Sequence, residues 1–154
     1  MTSPIEAKLA ELGITLPTPT PPLANYVPVV RTGNLLFVSG QISIDGTGRI
    51  MTGKLGAGVE IEAGREAAKL CAINILAQVK AAIGDLDKVV RVVKLVAFVN
   101  STPDFVDQPK VVNGCSDFFV EVLGDKGRHA RSAVGIAALP LDAAVEVDAI
   151  VEVV

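Results

Sequence analysis

Between Lys88 and Val99 the chain carries a nearly unbroken run of β-branched and apolar residues. Neither a turn nor a solvated helix accommodates such a run, and it reads as a strand inside a sheet covered on both faces. What flanks it decides the fold class. Upstream, Ala68, Cys71, Ala72, Ile75, Leu76, Val79, Ala82 and Ile83 recur at helical spacing and form one face of a long helix that Gly84 stops. Downstream, Val112, Cys115, Phe119, Val122 and Leu123 mark a second amphipathic helix from about Gln108 to Leu123, closed by Gly124.

The two ends of the chain are strand-like. From Tyr26 onward β-branched residues dominate, interrupted by the turn Arg31-Thr32-Gly33-Asn34, with a second strand over about Leu35 to Ser39. Ala130 to Leu139 and Val145 to Val153 are two more strands, separated by the Pro140-Leu141-Asp142 turn. Asp45-Gly46-Thr47-Gly48 is a turn, and Gly53, Gly56 and Gly58 mark a loop. Ser3-Pro4-Ile5-Glu6 has the form of a capping box and opens a short helix to about Leu12, followed by a Pro/Thr connector from Leu16 to Pro22. Strands grouped at both ends with two helices between them predict an α+β fold, one mixed sheet with both helices packed on a single face. The opposite face then needs a cover of its own.

Size and composition bound the rest. A chain of 154 residues supports one core, so residues 1–25 are an appended helix and connector and 26–154 a single domain. Half of the residues are hydrophobic and only 20% are charged, an excess that points to apolar surface buried against another subunit. The formal net charge is −3 and the Lys and Arg residues are scattered, which argues against a nucleic-acid partner. No uncharged run approaches the ~20 residues of a membrane helix. The Met-Thr-Ser-Pro-Ile-Glu start lacks the features of a secretory signal, so a cytoplasmic location is expected. Cys71 and Cys115 fall on helical apolar stripes without metal-ligand spacing and read as core.

Strand parity singles out candidates for chemistry. In the last strand Val145, Val147, Ala149, Val151 and Val153 share the face toward the helices, so Glu146 and Asp148 point away from them. Arg131 stands at the start of the preceding strand, and a hairpin between the two strands would bring it near those acids at one sheet edge. A guanidinium grips a small carboxylate through two parallel hydrogen bonds, and a nearby Glu can position or deprotonate a water. His129, the sole histidine, reads as a surface or subunit-contact residue, with proton donation near neutrality as the functional alternative. Asn113 and Ser116 lie beside or opposite the apolar stripe of the second helix and read as solvated.

Two motifs carry a family resemblance. Gly33-Asn34-Leu35-Leu36-Phe37-Val38-Ser39-Gly40-Gln41, with Tyr26 seven residues before the glycine, resembles the N-terminal signature of the RidA/YjgF proteins. Ala130-Arg131-Ser132, Leu139-Pro140 and Val145-Glu146-Val147-Asp148-Ala149-Ile150 resemble the C-terminal one. The resemblance, which runs from about Tyr26 to the end, implies a chorismate-mutase-like fold, a homotrimer with a cleft at each subunit interface, and no metal or cofactor. It also implies hydrolysis of enamine and imine intermediates such as 2-aminoacrylate to 2-keto acids and ammonia. Arg131 would then clamp the substrate carboxylate and Glu146 would activate the water. Tyr26, Ser39, Gly40, Ser132 and His129 would line the cleft. The chain departs from the pattern at Pro28 and Ala133, where active members carry polar residues. Two other activities fit the same residues: a non-catalytic module for small carboxylate metabolites, and an endoribonuclease or translation inhibitor, against which the acidic charge weighs.

Overall fold

The Ser3 hydroxyl accepts a hydrogen bond from the Glu6 amide at 3.0 Å, and Pro4 occupies the first turn of helix α1 (Pro4–Glu11), which buries Ile5 and Leu9. The computed structural model describes residues 3–22 and 24–154, so positions 1, 2 and 23 of the expected 1–25 segment lie outside the described residues. After the connector, β1 (Val29–Thr32) and β2 (Leu35–Ile42) form an antiparallel hairpin turned at Gly33, whose φ of 56° suits glycine. Strand β2 continues past the expected Ser39 through a register shift between Val38 and Gln41. The glycine-rich stretch is not wholly loop, because β3 (Lys54–Leu55) and β4 (Gly58–Val59) pair there in parallel.

Helix α2 (Ile61–Ile83) starts before its apolar stripe does, and α3 (Gln108–Leu123) has the expected limits. Strands β5 (Val89–Asn100), β6 (Ala130–Ile136) and β7 (Val145–Val153) complete a five-stranded sheet in the order β1-β2-β7-β5-β6. Within this sheet only β5 and β6 pair in parallel, and α3 is the crossover that such a pair requires.

The core lies between one face of the sheet and the helices. Leu36, Val38, Leu95, Ala97, Val99, Val145, Val147 and Val151 meet Cys71, Ile75, Cys115 and Phe119 there, and both cysteines are fully buried. The expectation of cover on both faces of β5 holds within this chain only on the helix side. On the other side Val96, Phe98 and Ile150 are half-buried, while Phe37 and Val134 are exposed.

The expected hairpin of the last two strands does not form, since β5 lies between β6 and β7. The connection is tied down across the end of β5: Asn100 at that end donates to the Asp142 carboxylate and the Ala143 carbonyl, while Gly53 and Ala144 bond to Asp142 and Met51. Leu141 and Asp142 take left-handed φ values of 59° and 57° to make the crossing. Among the described residues no helix is long and apolar enough to cross a membrane.

Candidate functional site

Arg131 is set in register with Leu95, itself opposite Ala149, and both are buried beneath the helices. Its side chain therefore runs on the helix face of β6, at the sheet edge, and meets α3. One guanidinium nitrogen, Nη1, donates to Asn113 Oδ1 at 2.9 Å and to Ser116 Oγ at 3.0 Å, and Nη2 donates to the Pro109 carbonyl at 3.4 Å. All three acceptors are neutral. Among the described residues no ion pair involves Arg131, so its charge is oriented without being compensated.

The neighbouring hydrogen bonds determine who donates. The Gly127 carbonyl can only accept, so the 2.6 Å contact from His129 Nδ1 places a proton on that nitrogen. Burial, helped by the Arg131 charge, holds the His129 pKa below its ordinary value and favours the neutral ring, in which Nε2 is an acceptor. Ser116, 2.9 Å from Nε2, then donates its hydroxyl proton to His129 and offers a lone pair to Arg131. His129 acts on the guanidinium through Ser116. Asn113 and Ser116, read from the sequence as solvated, are half-buried members of this cluster.

The N-terminal motif builds a second group. A Cβ placed on Gly40 would lie 2.8 Å from the Glu146 carboxyl carbon and 3.1 Å from its Oε2, so the missing side chain is what lets Glu146 lie across β2. Burial and the charge of Asp148 push the Glu146 carboxyl above its ordinary pKa, and burial does the same to Asp148. Ser39 donates its hydroxyl to the Pro28 carbonyl at 3.0 Å, and this pins the segment leading into β1 beside β2. A cavity of about 610 Å³ opens there, lined by Tyr26, Pro28, Ser39, Gly40 and Gln41, and Tyr26 is 58% exposed.

These two groups do not meet within one chain. Glu146 is in register with Phe98, and Phe98 with Val134, on the face away from the helices; Arg131 lies on the helix face. Ser132 follows the Glu146 side, since it is paired with Val96, which pairs with Asp148. Strands β7 and β5 also separate β2 from β6, three strand spacings or about 14 Å. The expected approach of Arg131 to the acids at one edge fails because an odd register offset sends them to opposite faces. Among the described residues no cluster of three or more His, Cys, Asp or Glu side chains could hold a metal ion.

Residues 6–153 match the family described as "YjgF/chorismate_mutase-like, putative endoribonuclease". Protein TCP17 of Trypanosoma cruzi is 52% identical over 96% of this chain and 93% of its own length. A 2-iminobutanoate/2-iminopropanoate deaminase of Dermatophagoides farinae is 30% identical over 90% of this chain and 93% of its own. The crystal structure of Atu1372 from Agrobacterium tumefaciens, a protein of unknown function, superposes with a TM-score of 0.90 at 54% identity, covering 97% of this chain and 94% of that one. Together with the mixed sheet and its one-sided helices, a match over nearly the whole length places this chain in the YjgF/chorismate-mutase-like family.

Proposed function

We propose that this protein hydrolyses small enamines and imines bearing a 2-carboxylate, of the 2-aminoacrylate type, to 2-keto acids and ammonia. The crevice would form where the Arg131 edge of one copy meets the Tyr26, Ser39, Gly40 and Glu146 edge of another, in a closed homotrimer. The observation that carries this reading is the Arg131 guanidinium, aligned by three neutral acceptors with no carboxylate of its own. Such a cation suits a ligand carboxylate, because the charge is preorganised and not already spent on an ion pair. The name of the Dermatophagoides farinae relative supports the same substrate class.

The chemistry needs no cofactor. Solvent supplies a proton to the enamine carbon, which gives the iminium; water adds to C2 while Glu146 takes its proton and passes one to nitrogen. The C–N bond then breaks, ammonia leaves, and the C2 hydroxyl loses its proton to become the keto group. Glu146, whose proton affinity is raised, suits that exchange. His129 would act through Ser116 on Arg131, while Tyr26, Ser39 and Ser132 would shape the walls.

The test couples the protein to a dehydratase that generates 2-aminoacrylate and follows pyruvate release. Wild type should accelerate release, and Arg131→Ala should lower the gain by about a hundredfold, as expected for a lost charge-assisted contact. A variant as fast as wild type contradicts the reading. Ala133, the next residue on the Arg131 face, is apolar and favours a second reading: a module that binds small carboxylates without turning them over. Saturable binding of a 2-keto acid with no effect on 2-aminoacrylate would select it.

A further inference from the structure

A cleft of about 630 Å³ lies where the end of β6 meets the 101–106 loop and β3, bordered by Lys54, Phe105, Val106, Gln108, Gly135 and Ile136. Its volume falls within the range of small-ligand sites. Arg131 is four residues back along β6, about 13 Å at ~3.3 Å per residue, so this cleft has a different anchor.

Lys54 is that anchor. Its ammonium donates to Asn100 Oδ1 at 2.6 Å and to the Ala137 carbonyl. An ammonium has three donors, and these two acceptors leave one. Both partners are neutral, and among the described residues Lys54 enters no ion pair. The nearest acid in the network, Asp142, touches Asn100 and not the lysine. Asn100 is only 1% exposed and its amide is spent on Asp142 and Ala143, so the acceptor that holds Lys54 cannot swing away. A lysine normally loses considerable rotamer freedom on binding a ligand, and here that cost is already met within the fold.

The rest of the cleft is shaped for an apolar body. A Cβ at Gly135 would lie 2.6 Å from Ser101 Oγ and 2.7 Å from Gln108 Nε2, so the glycine keeps this stretch of wall free of a side chain. The Gln108 amide nitrogen donates to the Phe105 carbonyl at 2.7 Å and to the Ser101 hydroxyl at 3.5 Å, which engages both of its N–H groups. Phe105, Ile136 and Val106, the last 78% exposed, supply hydrocarbon around the single cation. One fixed positive charge, with one ammonium donor left over, matches a monoanion.

We propose that this cleft is a second binding site, for a small monocarboxylate with a short apolar chain, anchored on Lys54 and separate from the Arg131 site. Titration calorimetry with hexanoate on the intact protein tests it. Hexanoate should bind saturably, one per chain beyond any occupancy of the Arg131 site, and survive Arg131→Ala. Lys54→Met, which keeps the hydrocarbon stem, should weaken that binding at least about tenfold, as should hexanamide in place of hexanoate. Val106→Glu, at an exposed rim position, sets a like charge in the ligand's path and should weaken it as well, so the test stands even if Lys54→Met fails to fold. No saturable binding to wild type overturns the proposal, as does binding abolished by Arg131→Ala but indifferent to Lys54→Met and Val106→Glu. Equal affinity for hexanamide overturns the role of the charge. Turnover of 2-aminoacrylate is read separately and does not decide this site.

Discussion

The residue that links the N-terminal motif to the acid of the C-terminal one is Gly40. An alanine there would press on the flexible end of Glu146 and on no backbone, so Gly40→Ala should change stability by less than about 1 kcal/mol while moving the carboxyl off β2. The expected outcome is turnover reduced to the level of Glu146→Gln with an almost unchanged melting temperature; full activity would disconnect Gly40 from the chemistry. His129 makes a pH prediction. Its folded pKa is depressed, so the unfolded chain binds more protons, and the stabilisation present above the ordinary value of 6.5 is lost as pH falls below it. Denaturant unfolding should show that slope in wild type and not in His129→Gln. The same variant should raise KM for a carboxylate substrate more than it lowers kcat, since the ring acts on Arg131 only through Ser116. Tyr26, Ser39 and Gly40 stand out in the sequence through the resemblance of the N-terminal motif to the family's signature. Asn113 and Ser116 do not, because a polar residue beside a helical stripe looks the same whether it faces water or a guanidinium from a distant strand.

At the scale of the element, β7 is the clearest case. Period-two alternation assigned its valines to the helix side, and its burial alternates residue by residue as that pattern requires. The acids on its other face carry an energetic signature. Glu146 and Asp148 have raised folded pKa values, so the folded state holds protons that the unfolded chain has released, and stability declines as pH rises through and above the ordinary carboxylate range. Glu146→Gln/Asp148→Asn should flatten that decline and be more stable than wild type at neutral pH, read from urea midpoints across pH. Equal slopes in both proteins would contradict the assignment. Helix α3 was legible because its apolar stripe keeps helical spacing and Gly124 closes it. Strand order was not legible: the 137–144 connection has the length of a hairpin loop, and the pairing of β5 with both β6 and β7 shows that it crosses β5.

At the scale of the whole molecule, one sheet face is closed by helices while the other exposes Phe37 and Val134 around two half-buried acids. Apolar area of that kind, in a chain rich in Val and Ala, fits an interface between copies. The two candidate half-sites lie on different strands and opposite faces of one chain, and the proposed deaminase would therefore complete its site with a second copy joined head to tail, in a ring that closes that geometry. The most direct test mixes two defective proteins: Arg131→Ala and Glu146→Gln, each inactive alone, are co-expressed and purified as hybrid oligomers. Every hybrid of a closed trimer puts an intact Arg131 opposite an intact Glu146 at one interface in three, so deaminase activity should return to about a third of wild type. Hybrids as inactive as either parent would mean that both residues serve one site within a single chain or none, and would contradict a shared crevice.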